Sequence, residues 1–242
     1  MIRWAALALL WAAPAAAVTC EDMDSAGTSY TVCTVDVASE NLRLFLRDDD
    51  GHILGTFRNV AGTLEGADLA FGMNAGMYHD DRAPVGHFVQ DGTQVMRVVP
   101  NAGPGNFGLL PNGVLCINDA DAHVYETLRF VDEAPVCRDA TQSGPMLVID
   151  GDLHPRFLPD GTSKFIRNGV GTSADRATAQ FVISNDVVNF HDFGVFFRDV
   201  LGTPNALYFD GKVSRLHAPA LGRSDPGFRL GPIVGVVEEL TQ

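Results

Sequence analysis

Apolar residues in this chain cluster in short runs broken by Asx-Gly pairs, a pattern that predicts strands joined by tight turns. Tyr30–Val37 and Leu42–Leu46 read as strands, Asp48-Asp49-Asp50-Gly51 as a turn, and Ile53–Phe57 as the returning strand. Asp91-Gly92, Asn112-Gly113, Asp150-Gly151 and Asp160-Gly161 repeat the hairpin signal, since both central residues of a type I′ turn need φ > 0. Leu69–Met73, Met146–Ile149, Phe165–Gly171 and Ala179–Ser184 add further strands. One stretch switches period. Phe190, Phe193, Phe196, Phe197, Val200 and Leu201 share a helical face, with Asn189 as cap, Asp192 in the first turn, and Gly202 and Pro204 at the end. This helix stands between the strand ending at Ser184 and the strand Ala206–Phe209, in the order of a β-α-β crossover. If those strands are parallel, Asp210 lies at a strand's carboxyl end, where ligands bind in such sheets. The expected fold class is α+β: a β-rich single domain with a twisted mixed sheet, several hairpins and a few packed helices.

The first residues change the boundaries. Met1-Ile2-Arg3 is a short positive start, Trp4–Ala13 is apolar, and Ala15-Ala16-Ala17 offers a cleavage site. Residues 1–17 therefore read as a secretory signal peptide, too short for a comfortable membrane span, and 18–242 as one exported domain, periplasmic or secreted. Both tryptophans, Trp4 and Trp11, fall in the leader. The four cysteines fit export: Cys20 with Cys33 and Cys116 with Cys137 are the sequence-local disulfide pairs, and two other connectivities stay open. No Cys-x-x-Cys or histidine at ligand spacing supports a zinc site instead.

A formal charge of −13 argues against nucleic acid or an anionic membrane as partner. Residues 156–229 nevertheless carry a balance of +2, a locally basic region suited to an anionic small substrate or simply to solvated surface. The seven histidines form no metal-binding motif, so no cofactor or dedicated metal is indicated. The glycine-rich stretch from Pro100 to Gly108 lacks the Gly-Lys-Ser/Thr of a phosphate loop and reads as a loop at the rim of a site or a connection. Ser143 lacks a Gly-x-Ser-x-Gly elbow and precedes a strand, which favours a hydrogen-bonding hydroxyl over a nucleophile. Arg167 lies among apolar neighbours and needs an anionic partner, either a structural carboxylate or a bound anion.

Six segments in order carry a resemblance. They are Asn74-Ala75-Gly76-Met77-Tyr78, Pro84-Val85-Gly86, Gln142-Ser143-Gly144-Pro145-Met146-Leu147, Arg167-Asn168-Gly169-Val170-Gly171, Ile183-Ser184-Asn185-Asp186 and Asn205–Ser214. Together, over about residues 68–216, the chain resembles the phosphodiester glycosidase family, which includes the lysosomal uncovering enzyme, an N-acetylglucosamine-1-phosphodiester alpha-N-acetylglucosaminidase. Its likeness is to a bacterial exported branch. The family's Leu-Asp-Gly-Gly-Gly-Ser appears here as Phe209-Asp210-Gly211-Lys212-Val213-Ser214, with two glycines replaced.

The resemblance implies hydrolysis of a sugar-1-phosphodiester in a glycan or glycoconjugate, through an oxocarbenium-like transition state. Asp210 would stabilise or attack the anomeric carbon, and Arg167 would take the departing phosphate through paired, charge-assisted bonds. Asn74, Gly76, Ser143, Gly144, Asp186, Gly211 and Ser214 would position the carbohydrate or its phosphate. Asp186 and Asp175 are candidates for a second carboxylate, whereas Asp150 reads as a hairpin residue. Two rival readings are a non-catalytic periplasmic module that binds anionic glycan, and a serine esterase acting through Ser143.

Overall fold

In the computed structural model, which describes residues 18–240, seventeen strands form three sheets. The largest runs edge to edge through Thr19–Ser25, Thr28–Asp36, Thr178–Ser184, Asn168–Thr172, Asn205–Asp210, Met146–Ile149 and Asp152–Leu153. The second orders Arg223–Ser224, Leu216–Ala218, Ala67–Asn74, Ile233–Glu239 and Asn41–Phe45. The third orders Thr93–Met96, Phe88–Gln90, Asp139–Ser143, Gly113–Ile117 and Ala122–Glu126. Every ladder among them is antiparallel, so three antiparallel sheets stand where a mixed one was expected.

One apolar core is common to all three sheets, with Val35, Phe181 and Leu207 from the first, Leu44, Phe71 and Val234 from the second, and Phe88 and Leu115 from the third. The seven-stranded sheet also buries its other face. Strand alternation sends Leu207 and Phe209 into the shared core, and Ala206 and Tyr208 to the opposite side. There Phe193, Phe196 and Phe197 cover the sheet, each contributing on the order of 2 kcal/mol by burial. They belong to the expected helix. Asn189 caps it by accepting from the Asp192 amide at 2.7 Å, the helix is α over Phe190–Val195, and it widens to a π turn over Phe196–Val200 before Gly202.

The strands on either side of this helix run in the same direction, because both pair antiparallel with Asn168–Thr172, which lies between them. The crossover thus skips one strand, and Asp210 emerges at the same end of the sheet as Ser184.

Some turns follow the dipeptide signal and some do not. Asp91-Gly92 and Asp150-Gly151 adopt positive φ at both residues, and Gly51 closes the turn that bridges Arg47 to Ile53. Asn112 is instead buried ahead of the Gly113 strand, and Asp160-Gly161 sits in a loop whose Gly161 amide donates to the Leu158 carbonyl. The expected strand Ile53–Phe57 stops at that one bridge. Thr56 Oγ1 accepts from the Asn59 amide and caps a helix, Phe57–Gly62, which a strand reading of the apolar residues misses.

Both sequence-local disulfides are present, Cys20–Cys33 across paired strands and Cys116–Cys137. No helix among the described residues is long and apolar enough to cross a membrane. The expected leader lies outside the described residues.

Glu40 yields a stability prediction. Its Oε2 accepts from the Asp36 amide at 2.6 Å, while Oε1 is buried without a partner. Burial, together with the charges of Asp36 and Glu238, pushes its carboxyl up to about 7. The folded chain holds this proton more tightly than the unfolded chain. Its contribution is therefore full below the ordinary value of 4.5 and is lost as pH rises through about 7. Glu40→Gln keeps an acceptor and cannot ionise, so thermal melts should show Tm raised by about 2 °C at alkaline pH and unchanged in acid.

Candidate active site

Asp210 ends its strand at a β-bulge. Asn168 faces Asp210 while the next residue, Gly169, faces Tyr208, so Phe209 is the extra residue. A bulge leaves backbone groups unpaired, and here side chains take them. Ser143 Oγ donates to the Phe209 carbonyl at 3.1 Å, the Asp210 amide donates to Asn168 Oδ1 at 3.1 Å, and Ser214 Oγ donates to the Asp210 carbonyl at 2.7 Å. Asn168 is locked to Asn74: its Nδ2 donates to the Asn74 carbonyl at 2.8 Å and its Oδ1 accepts from Asn74 Nδ2 at 3.3 Å. Asn74 Oδ1 then accepts from the Arg215 amide at 2.8 Å. Asn74, Ser143 and Asn168 are fully buried. The structure thus gathers Asn74, Ser143 and Ser214 around Asp210 as supports of its backbone.

The carboxylate is held as well. Asp210 Oδ1 accepts from the amides of Gly211 at 2.6 Å and Lys212 at 2.8 Å, an Asx turn, while Oδ2 has no donor among the described residues. Neither Asp210 nor Gly211 has positive φ, so this Asp-Gly pair is not a type I′ turn. Glycine is required at 211 for space: a Cβ there would overlap the Tyr208 hydroxyl and lie 3.6 Å from Arg167 Nη1. Gly76 and Gly144 answer to internal crowding too. A Cβ on the former would come within 2.5 Å of the Gln142 carbonyl, and one on the latter within 2.5 Å of Asn112 Cβ.

Arg167 is fully buried. Its Nε donates to the Val188 carbonyl at 2.9 Å and its Nη2 to the Ser163 carbonyl at 2.8 Å. The guanidinium lies over Phe190 at 3.7 Å, with Tyr208 and Phe165 beyond. No carboxylate pairs with it among the described residues. Nη1 sits beside the Tyr208 hydroxyl without meeting hydrogen-bond geometry, and is a buried donor with no acceptor. The fork expected for a phosphate is therefore reduced to one wholly uncommitted nitrogen, Nη1.

Two tyrosines flank Asp210. Burial, and then the Asp210 charge, pushes the Tyr78 hydroxyl above its ordinary value, with Arg82 and Arg215 opposing. Tyr208 is pushed up chiefly by burial, opposed by Arg167 and reinforced by Asp210. The turn after Asp210 lines a cleft of about 410 Å³, with Lys212–Arg215 on one side and Arg223, Asp225, Pro226 and Phe228 on the other.

The other expected residues lie apart. Asp186 is exposed and its Oδ2 accepts from the Ser29 amide at 3.0 Å, while its neighbour Asn185 reaches the cleft. Asp175 occupies the Ser173–Ala177 turn, at the far end of the strand whose near end carries Asn168. Asp150 is a turn residue bound by Arg129. In the glycine-rich loop, Phe107 lies against Gly86 and Gly144, and none of residues 100–108 lines the cleft. Asn168, Tyr78, Tyr208 and Arg215 had no assigned role, although the first three fall inside the six segments and Arg215 directly follows the last. No group of three or more metal-ligating side chains that could hold an ion occurs among the described residues.

The phosphodiester glycosidase family profile matches residues 67–218. The chain is 30% identical over 207 residues to the uncharacterized protein YigE of Escherichia coli (strain K12), covering 84% of this chain and 81% of that one. Its fold is similar to the zebrafish N-acetylglucosamine-1-phosphodiester alpha-N-acetylglucosaminidase catalytic domain auto-inhibited by pro-peptide. That match has a TM-score of 0.62 at 13% identity over 90% of this chain and 81% of that domain. A hypothetical protein from Synechocystis has a similar fold, with a TM-score of 0.61 at 12% identity over 91% of this chain and 62% of that one. The six ordered segments lie wholly within the matched region, and the chain belongs to the phosphodiester glycosidase family, a family of hydrolases.

Proposed function

We propose that this chain is an exported hydrolase that cleaves the bond between a sugar's anomeric carbon and a phosphate oxygen in a glycosyl-1-phosphodiester. One observation carries the reading: a carboxylate pinned by two backbone amides stands next to a glycine whose other side meets a buried, carboxylate-free arginine. Such a pairing suits a transition state with positive charge at the sugar and negative charge at the departing phosphate. Asp210 stabilises or attacks the oxocarbenium-like carbon. The C1–O bond breaks, the phosphate monoester leaves with the electron pair, and water supplies the hydroxyl of the released sugar, its other proton passing to the monoester or to solvent. The leaving group is already a good one, so the protein has less need of a strong acid than of fixed positive charge. Arg167 supplies that charge from behind Gly211 and Tyr208. The two disulfides favour an oxidising compartment, in keeping with export.

The test is to incubate the full mature chain with a panel of sugar-1-phosphodiesters and assay free sugar by mass spectrometry. Sugar release with a phosphate monoester as co-product is expected. Saturable glycan binding with no product over long incubation would replace this reading with that of a binding module.

A further inference from the structure

We propose that the cleft beside Asp210 receives the aglycone side of the substrate, and that Lys212 and Arg215 select an aglycone carrying a negative charge of its own. This rests on the activity proposed above. The cleft is lined by three cations. Arg223 is neutralised: its Nε and Nη2 both reach Asp225 at 3.0 Å, and its Nη1 donates to Asn185 Oδ1 at 2.8 Å. Lys212 and Arg215 pair with no carboxylate among the described residues.

Arg215 is the more telling of the two. It is only 9% exposed, yet a single guanidinium nitrogen, Nη1, is engaged within the protein, on the Phe228 carbonyl. Its plane lies against Gly227, where a Cβ would overlap it, so the group is held in place with Nε and Nη2 uncommitted. Burial disfavours the Arg215 charge, and nearby Asp225, itself paired with Arg223, offsets this only in part, so an anion in the cleft relieves the remainder. Lys212 is exposed, and its amide is bonded to Asp210 Oδ1, so the turn that aims the carboxylate also carries this cation.

Charge counting then names the ligand class. A phosphodiester brings one negative charge, whereas the cleft lining, with Asp225 spent on Arg223 and Asp210 outside it, leaves two cations without a carboxylate partner in a chain whose overall charge is −13. The second cation is matched by a phosphate or carboxylate on the aglycone itself. Lys212, standing where the family has glycine, becomes a specificity residue.

The experiment is calorimetric titration of the full mature chain with pyrophosphate and with phosphate. Pyrophosphate should saturate one site about ten-fold more tightly than phosphate, and weaken as salt is raised. Lys212→Gln, a change at an exposed side chain, should bring pyrophosphate down about ten-fold, to the phosphate level. Arg215→Gln should lose both anions, and Arg215→Lys should restore part of the binding. Equal affinity for the two anions, absence of saturation, or an affinity unmoved by Lys212→Gln would overturn the proposal. Pyrophosphate binding as described, with no glycosyl phosphodiester cleaved, would sink the activity and leave the anion cleft standing. Sugar release that pyrophosphate neither binds to nor inhibits would sink the cleft alone.

Discussion

Asp210→Asn should lower sugar release about 1,000-fold in kcat while shifting Tm by about 1 °C or less. The substitution separates shape from charge. Asparagine keeps an Oδ1, so the amides of Gly211 and Lys212 retain their acceptor, and the bonds that Ser143, Asn168 and Ser214 make to the bulge involve only backbone atoms of Phe209 and Asp210. What disappears is the negative charge that faces a developing oxocarbenium ion. A loss of that size corresponds to about 4 kcal/mol of transition-state stabilisation, the scale seen when one preorganised electrostatic group is removed. The measurement is steady-state release of sugar from the best phosphodiester of the panel, with a thermal melt of the same preparation. Wild-type turnover in a normally folded variant would take Asp210 out of the chemistry. A large fall in Tm would instead show that the carboxylate serves the turn.

How much of this site was legible in the sequence depends on distance along the chain. Local features were readable: the capped helix after Asn189, the Asp91-Gly92 and Asp150-Gly151 turns, and both disulfide pairs. Asp210-Gly211 looks like those turns in sequence, and only register tells them apart. The bulge at Phe209 arises where Asn168 and Gly169 meet a strand about 40 residues away, which no window of neighbouring residues contains. For the same reason Ser143, Asn74 and Ser214 are read from the sequence as ligand contacts, whereas the structure joins them to the bulge around Asp210. Their partners are backbone atoms brought from other strands. Tyr208 hid differently. Within Asn205–Asp210 it reads as one more apolar strand residue, and its hydroxyl matters only because alternation turns it toward Arg167 and Gly211. Ile53–Phe57 failed because a threonine cap can start a helix inside an apolar stretch.

Arg167→Met should cost about 3 kcal/mol of stability and, separately, about 100-fold in kcat per folded molecule. Methionine fills much of the same volume among Phe165, Phe190 and Tyr208, so the loss is electrostatic more than steric. The Val188 carbonyl loses one of two donors, keeping the Phe165 amide at 3.1 Å, and the carbonyl of the exposed Ser163 loses its side-chain donor, together roughly 2–3 kcal/mol, and the contact over Phe190 adds about 1 kcal/mol. Against this, the variant no longer buries a charge that lacks a carboxylate, a relief that offsets part of the penalty. The net change remains a loss because two hydrogen bonds and the ring contact all go with the side chain. For a chain of this size the melt should fall by about 6–12 °C, so activity is to be read well below the new midpoint. If the cation serves only as a strut between Ser163 and Val188, kcat measured there returns to the wild-type value once the folded fraction is accounted for. If its field reaches the departing phosphate past Gly211, the deficit persists in fully folded protein, and Arg167→Lys recovers part of the rate because it restores the charge without restoring the fork.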